Sequence, residues 1–97
     1  MARLETTEIE KRLAAIPGWR YDGRAIKKLY RFKEFMDGIH FLVRVAEMAE
    51  AVDHHPDVTI NYTRITFACT THSEGGVTNK DFALASEIEA AYAVKPG

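Results

Sequence analysis

The segment Phe35–Val52 limits the possible folds more than any other part of the chain. Phe35, Ile39, Leu42, Ala46 and Ala49 recur at helical spacing, and Phe41, Val45, Met48 and Val52 form a second apolar stripe beside them. Asp37, His40, Arg44 and Glu47 fall on the opposite side. The spacing predicts a long helix whose apolar arc is wider than a two-layer domain needs. Either a loop or a second subunit must cover the excess. Period-two segments flank it. Trp19 and Tyr21 alternate toward Asp22-Gly23, and Ala25 to Phe32 follows, which reads as a hairpin. After Pro56, Val58, Ile60 and Tyr62 alternate, then Ile65, Phe67 and Cys69, with a bend over Asn61 to Arg64.

The ends of the chain read as helices. Thr7-Glu8-Ile9-Glu10 is a capping-box pattern, Ile9, Leu13 and Ile16 follow at helical spacing, and Pro17-Gly18 stops the run. A glycine-bearing loop, Ser73 to Val77, precedes a last helix from Thr78 to about Val94, with Leu84, Ile88, Ala91 and Tyr92 as its buried face. The order α-β-β-α-β-β-α, with hairpin-joined strands, predicts an α+β domain. Its four-stranded antiparallel sheet carries three helices packed on one face. The other sheet face must then be polar or covered by a partner. With 97 residues and no linker or repeat, residues 1–97 read as one domain, small enough for association to help its stability.

Charge excludes some functions. Thirteen basic and fourteen acidic residues leave a net charge of -1, without the basic field that grips a phosphate backbone, so no direct nucleic-acid binding is expected. No run reaches membrane-spanning length and the start of the chain has no apolar leader, so no membrane association is expected. The single Cys69 rules out an internal disulfide, and a reducing, cytoplasmic setting is the expectation.

Four histidines carry the candidate chemistry. His40 falls on the polar stripe of the central helix and reads as a solvated surface residue. His54 and His55 lie where that helix gives way to an extended segment, and His72 lies where a strand enters a loop. Imidazole both donates and accepts protons near neutrality, so this trio suits a reaction with one proton in and one out. Glu50 and Asp53 stand close in sequence and could orient a ring. The alternative for His54-His55-Pro56 is a helix-terminal cap. Asp81 likewise reads either as part of a capping box with Thr78 or as a site acid on an otherwise apolar face. Trp19 is either core or a flat ring at a pocket edge. Adjacent histidines in an extended segment point to opposite sides, which opposes their convergence on one metal ion.

Taken together, Glu50-Ala51-Val52-Asp53-His54-His55-Pro56, then Tyr62, His72 and Asp81, resemble the signature of the pterin-4a-carbinolamine dehydratases, also known as dimerisation cofactors of a homeodomain transcription factor. Pro17-Gly18-Trp19, Phe32-Lys33-Glu34-Phe35 and Leu84-Ala85-Ser86 extend the likeness over most of the chain. The resemblance implies dehydration of 4a-hydroxytetrahydrobiopterin to quinonoid dihydrobiopterin, in recycling of the tetrahydrobiopterin cofactor. It implies His54 and His72 as acid and base, in unassigned order, and His55 as a further catalytic, substrate-contacting residue. Asp53, Thr70, Thr71, Ser73 and Trp19 would contact the pterin, while Glu50 and Asp81 would support the histidines. Ser73 stands where animal members carry glutamate. The pterin is substrate, so no cofactor and no metal are implied. The resemblance further implies a homodimer or homotetramer and an aromatic amino-acid hydroxylase as pathway partner. It also leaves open a binding role toward a transcription factor or enzyme, alone or beside catalysis.

Overall fold

The computed structural model describes residues 3–94. Its elements run α1 (Thr6–Leu13), β1 (Arg20–Tyr21), β2 (Ile26–Arg31), α2 (Phe35–Val52), β3 (Asp57–Asn61), β4 (Arg64–Cys69), a 3-10 turn (His72–Glu74) and α3 (Asn79–Ala93). The four strands form one antiparallel sheet in the order β1-β2-β4-β3, the expected α+β architecture. Register pairs Ile26 with Cys69, Lys28 with Phe67 and Tyr30 with Ile65, which aligns the inward side chains of β2 and β4. Ile26, Tyr30, Ile65, Phe67 and Cys69 are accordingly buried beneath the helices with Phe41, Val45, Leu84 and Ile88. The outward row instead pairs Lys27 with Ala68, Leu29 with Thr66 and Arg31 with Arg64. That face is mainly polar, and the like charges opposite one another there cost stability rather than add it.

Several local expectations change. No side chain caps α1: it starts at Thr6 with Glu5 as cap residue, two places before the capping-box reading allowed. The preceding chain is fixed instead by Leu4 N–H, which donates to Val77 O at 2.7 Å. Ile16 is buried but lies beyond the helix, in a tightened turn where Ala14, Ala15 and Ile16 each donate three residues back. The first hairpin is present with a very short β1. Its turn is held by Asp22 Oδ1, which accepts from Arg24 N at 2.8 Å and Ala25 N at 2.9 Å. On α3 the buried face is Asp81, Leu84, Ala85 and Ile88, with Phe82 beside it. Tyr92 lies at its margin, its hydroxyl donating to Arg31 O at 2.7 Å.

The helix α2 has the predicted bounds, and burial cuts across its two stripes. Phe41, Val45 and Ala49 face the core, along with Gly38, where an added Cβ would come within 3.2 Å of Ile65 and Phe32. Of the wide apolar arc, Leu42 and Met48 pack against the core while Phe35 and Val52 near its two ends are exposed, as are Met36 and Val43 outside it. The edge strand β3 is exposed throughout, Val58 and Ile60 included. Among the described residues no helix is long and apolar enough to cross a membrane.

Trp19 is a core residue rather than a pocket edge. It is 4% exposed, meets Tyr30 edge-on at 6.3 Å, and donates from Nε1 to Glu89 Oε1 at 3.3 Å. The same carboxylate oxygen accepts from Lys28 Nζ at 2.8 Å and Tyr30 Oη at 2.6 Å. Burial raises the Glu89 carboxyl, but the hydrogen bonds from Lys28 and Tyr30, the Lys28 charge and the Trp19 bond outweigh it and hold the group below its ordinary range.

Candidate active site

The site begins at the end of α2. Asp53 adopts the left-handed conformation (φ 53°, ψ 44°), and its amide donates to Glu50 O at 3.2 Å. His54 N–H donates to Ala49 O at 3.1 Å, completing a Schellman motif. Backbone amides therefore serve the last carbonyls, and neither imidazole is needed as a cap. Asp53 occupies the position that glycine usually fills, where an aspartate costs less than most side chains.

Beyond that reversal the adjacent histidines take different carboxylates. His54 Nε2 lies 2.6 Å from Asp81 Oδ1, with the two side chains 12% and 0% exposed. His55 Nε2 lies 2.5 Å from Glu50 Oε2, with the side chains 53% and 77% exposed. One pair is walled in, the other washed by solvent.

Asp81 reaches His54 because Thr78 ends the glycine loop and starts α3. The capping box predicted there forms: Thr78 N–H donates to Asp81 Oδ2 at 2.8 Å, and Thr78 Oγ1 accepts from Lys80 N at 3.2 Å. Thr71 Oγ1 donates to the same Oδ2 at 2.8 Å and lies 2.8 Å from Thr78 Oγ1. Asp81 thus fills both roles that the sequence offered as alternatives. Its Oδ2 caps the helix, and its Oδ1 holds the histidine. An ionised carboxylate accepting this many hydrogen bonds is well placed in a buried site. Thr78 belongs to the network without having been a candidate. Its capping pattern with Asp81 was the available signal.

His72 follows Thr71 directly and stands exposed at the start of the 3-10 turn, next to exposed Ser73. Thr71, Ser73 and Thr78 border a small hollow of about 110 Å³ together with Glu74, Asn79 and Lys80. Thr70 Oγ1 donates to Arg24 O at 2.8 Å, so the hydroxyls of Thr70 and Thr71 both have protein partners. A larger hollow of about 710 Å³ lies elsewhere, among Phe32, Asp37, His40, Arg44 and Tyr92. It contains no expected site residue except the discounted His40. Chemistry, not size, places the candidate site at the His54–Asp81 corner. Among the described residues no group of three His, Cys, Asp or Glu side chains is arranged to hold a metal ion.

The sequence model described as Pterin 4 alpha carbinolamine dehydratase matches residues 2–91. The chain belongs to that family. A relative from Mycobacteroides abscessus, provisionally named a pterin-4-alpha-carbinolamine dehydratase, is 47% identical over 89 residues, covering 92% of this chain and 95% of its own. A relative of the same provisional name from Sulfolobus acidocaldarius is 43% identical over 86 residues, covering 89% and 94%. The crystal structure of a transcriptional coactivator/pterin dehydratase from Brucella melitensis superposes with a TM-score of 0.87 at 38% identity, covering 92% and 97% of the two chains. A pterin dehydratase-like RuBisCO assembly factor of the alpha-carboxysome superposes at 0.70 with 18% identity, covering 82% and 95%. That likeness shows the fold alone. Members of this dehydratase fold therefore include proteins named for catalysis and for assembly.

Proposed function

We propose that this chain dehydrates 4a-hydroxytetrahydrobiopterin to quinonoid dihydrobiopterin and water. In that elimination the bond from C4a to its hydroxyl breaks, N5 loses its proton, and a C4a–N5 double bond forms. The hydroxyl leaves as water once protonated, and the N5 electrons supply the push. No net redox change occurs, so an acid, a base and correct orientation are the parts the protein must provide. His54 and His72 fill the acid and base roles, and His55 contacts the substrate. Asp53, Ser73 and the backbone of Thr70 and Thr71 bound the pterin. The observation that carries this reading is the buried pairing of His54 with Asp81, an imidazole held in place by a carboxylate whose other oxygen is bound by Thr71, the residue before the exposed His72.

The test is formation of quinonoid dihydrobiopterin by the purified protein from chemically generated carbinolamine. The expected rate exceeds the uncatalysed one and falls in the His54→Ala/His72→Ala double variant. A rate equal to the uncatalysed reaction would overturn the reading. Such an activity serves the recycling of a tetrahydrobiopterin cofactor used by an aromatic amino-acid hydroxylase.

Exposed apolar side chains support a second role in association. Phe35, Met36, Val43 and Val52 on α2 and the exposed β3 edge suit a second copy of the chain, giving a homodimer or homotetramer. The Brucella relative is named a coactivator as well as a dehydratase, which favours a binding role beside catalysis. Sedimentation at micromolar concentration should give an oligomeric mass; a monomer would count against it.

A further inference from the structure

The hydrogen bonds around Asp81 have a direction, and the direction has a chemical result. Thr71 has one hydroxyl proton, and its 2.8 Å contact directs that proton to Asp81 Oδ2. An ionised carboxylate only accepts, so this proton is committed. The 2.8 Å contact between Thr71 Oγ1 and Thr78 Oγ1 must then have Thr78 donating. Thr78 Oγ1 in turn accepts from the Lys80 amide at 3.2 Å. A backbone N–H cannot reverse. The run is therefore one-way, from Lys80 N through Thr78 and Thr71 to Oδ2, where Thr78 N–H also arrives at 2.8 Å. Two donors face Oδ2, which leaves no place there for a proton. A proton on the Asp81 carboxylate could then lie only at Oδ1, toward His54 Nε2, 2.6 Å away.

We infer that Thr71 and Thr78 are positioning residues: their one-way hydrogen bonds hold Asp81 as a pure acceptor. His54 is thereby fixed as the Nε2–H tautomer, with Nδ1 as the nitrogen that meets substrate. This rests on the reading of His54 as a proton carrier. It goes further by naming the reacting atom and the residues that choose it. Asp81 is 0% exposed, so His54 is also the route by which the pair exchanges protons with the site. His55 lacks any such device. Its ring meets a carboxylate whose side chain is 77% exposed to solvent, so the fold does not specify its tautomer.

The test is a nitrogen-15 spectrum of the histidine rings in the full chain, recorded where His54 is neutral, for wild type, Thr71→Val, Thr71→Ser and Thr78→Ser. Thr71→Val keeps the shape of the side chain and leaves the cap bonds of Thr78 to Asp81 and Lys80 in place, while removing the donor to Oδ2 and the acceptor of the Thr78 hydroxyl. Wild type should show Nε2 protonated and Nδ1 bare. Thr71→Val should shift the His54 signals toward a tautomer mixture, and both serine variants should keep the wild-type pattern. In the dehydration assay Thr71→Val should lower kcat about tenfold, with KM changed less than about twofold, since orientation and not binding is lost. A wild-type ring protonated on Nδ1, or an unchanged ring in Thr71→Val, would overturn the inference. The spectrum needs no substrate. An absent dehydratase activity with the expected spectra would therefore fail the functional reading and leave the tautomer assignment standing.

Discussion

His54 and His55 are adjacent in sequence, identical in kind and each within 2.6 Å of a carboxylate, yet they occupy different physical worlds. The His54 carboxylate is buried, triply hydrogen-bonded and part of a helix cap. The His55 carboxylate is solvated and one helical turn away on the same chain segment. An exposed pair gains little because water screens it and side-chain freedom is lost in forming it. A buried one is strongly coupled, because removing either partner leaves unsatisfied polar groups. The contrast teaches that the His-His pair is two devices rather than one.

The largest break in that contrast should come from Asp81→Ala. Thr71, Thr78 N–H and His54 all lose their acceptor, and an unfolding loss of about 3 kcal/mol is expected in urea titration. A loss under about 1 kcal/mol would mean that the corner is already hydrated. Next comes catalysis. His54→Ala and His72→Ala should each lower turnover about a hundredfold in the dehydration assay. His55→Ala should act mainly on KM, so equal kcat losses at positions 54 and 55 would erase the distinction between them.

Glu89 offers an intermediate case, partly exposed and bonded by Lys28, Tyr30 and Trp19. Its carboxyl is held below the ordinary value of 4.5 in the folded state. The unfolded chain therefore takes up this proton first as pH falls. The stabilisation is fully present above about pH 4.5 and is lost as pH drops through the folded value. Urea melts from pH 7 to 3 should show a shallower acid loss for Glu89→Gln than for wild type. The smallest effects belong to the exposed pair and its hinge. Glu50→Ala should change stability by less than about 0.5 kcal/mol. Asp53→Gly should raise it by about 0.5 kcal/mol, by relieving the left-handed residue.

Much of this was legible in the sequence, for identifiable reasons. The bounds of α2 came from sustained periodicity, and the strand pairs from alternation around turn residues. The Thr78–Asp81 capping box followed from residue type and spacing. Helix capping at Thr7 failed because a backbone contact from Leu4 to the loop, invisible in local sequence, sets where α1 starts. Trp19 could be read two ways because burial depends on α3, whose Glu89 is 70 positions away. The placement of Phe82 and Tyr92 depended on the roll of α3 against the sheet, which its weak apolar pattern does not fix. Asp81 taught the most. Its two oxygens serve different masters, and a sequence motif names only one of them.

The buried Cys69 has a practical consequence. Burial, with smaller help from the Asp81 and Asp57 charges, pushes its thiol up to about 12, so almost no thiolate exists in the folded protein at neutral pH. The native chain is thus a silent background for thiol chemistry. A cysteine introduced on the turn near His72 should take a maleimide dye selectively. A fluorescent reporter of ligand entry could then be attached without first mutating the core.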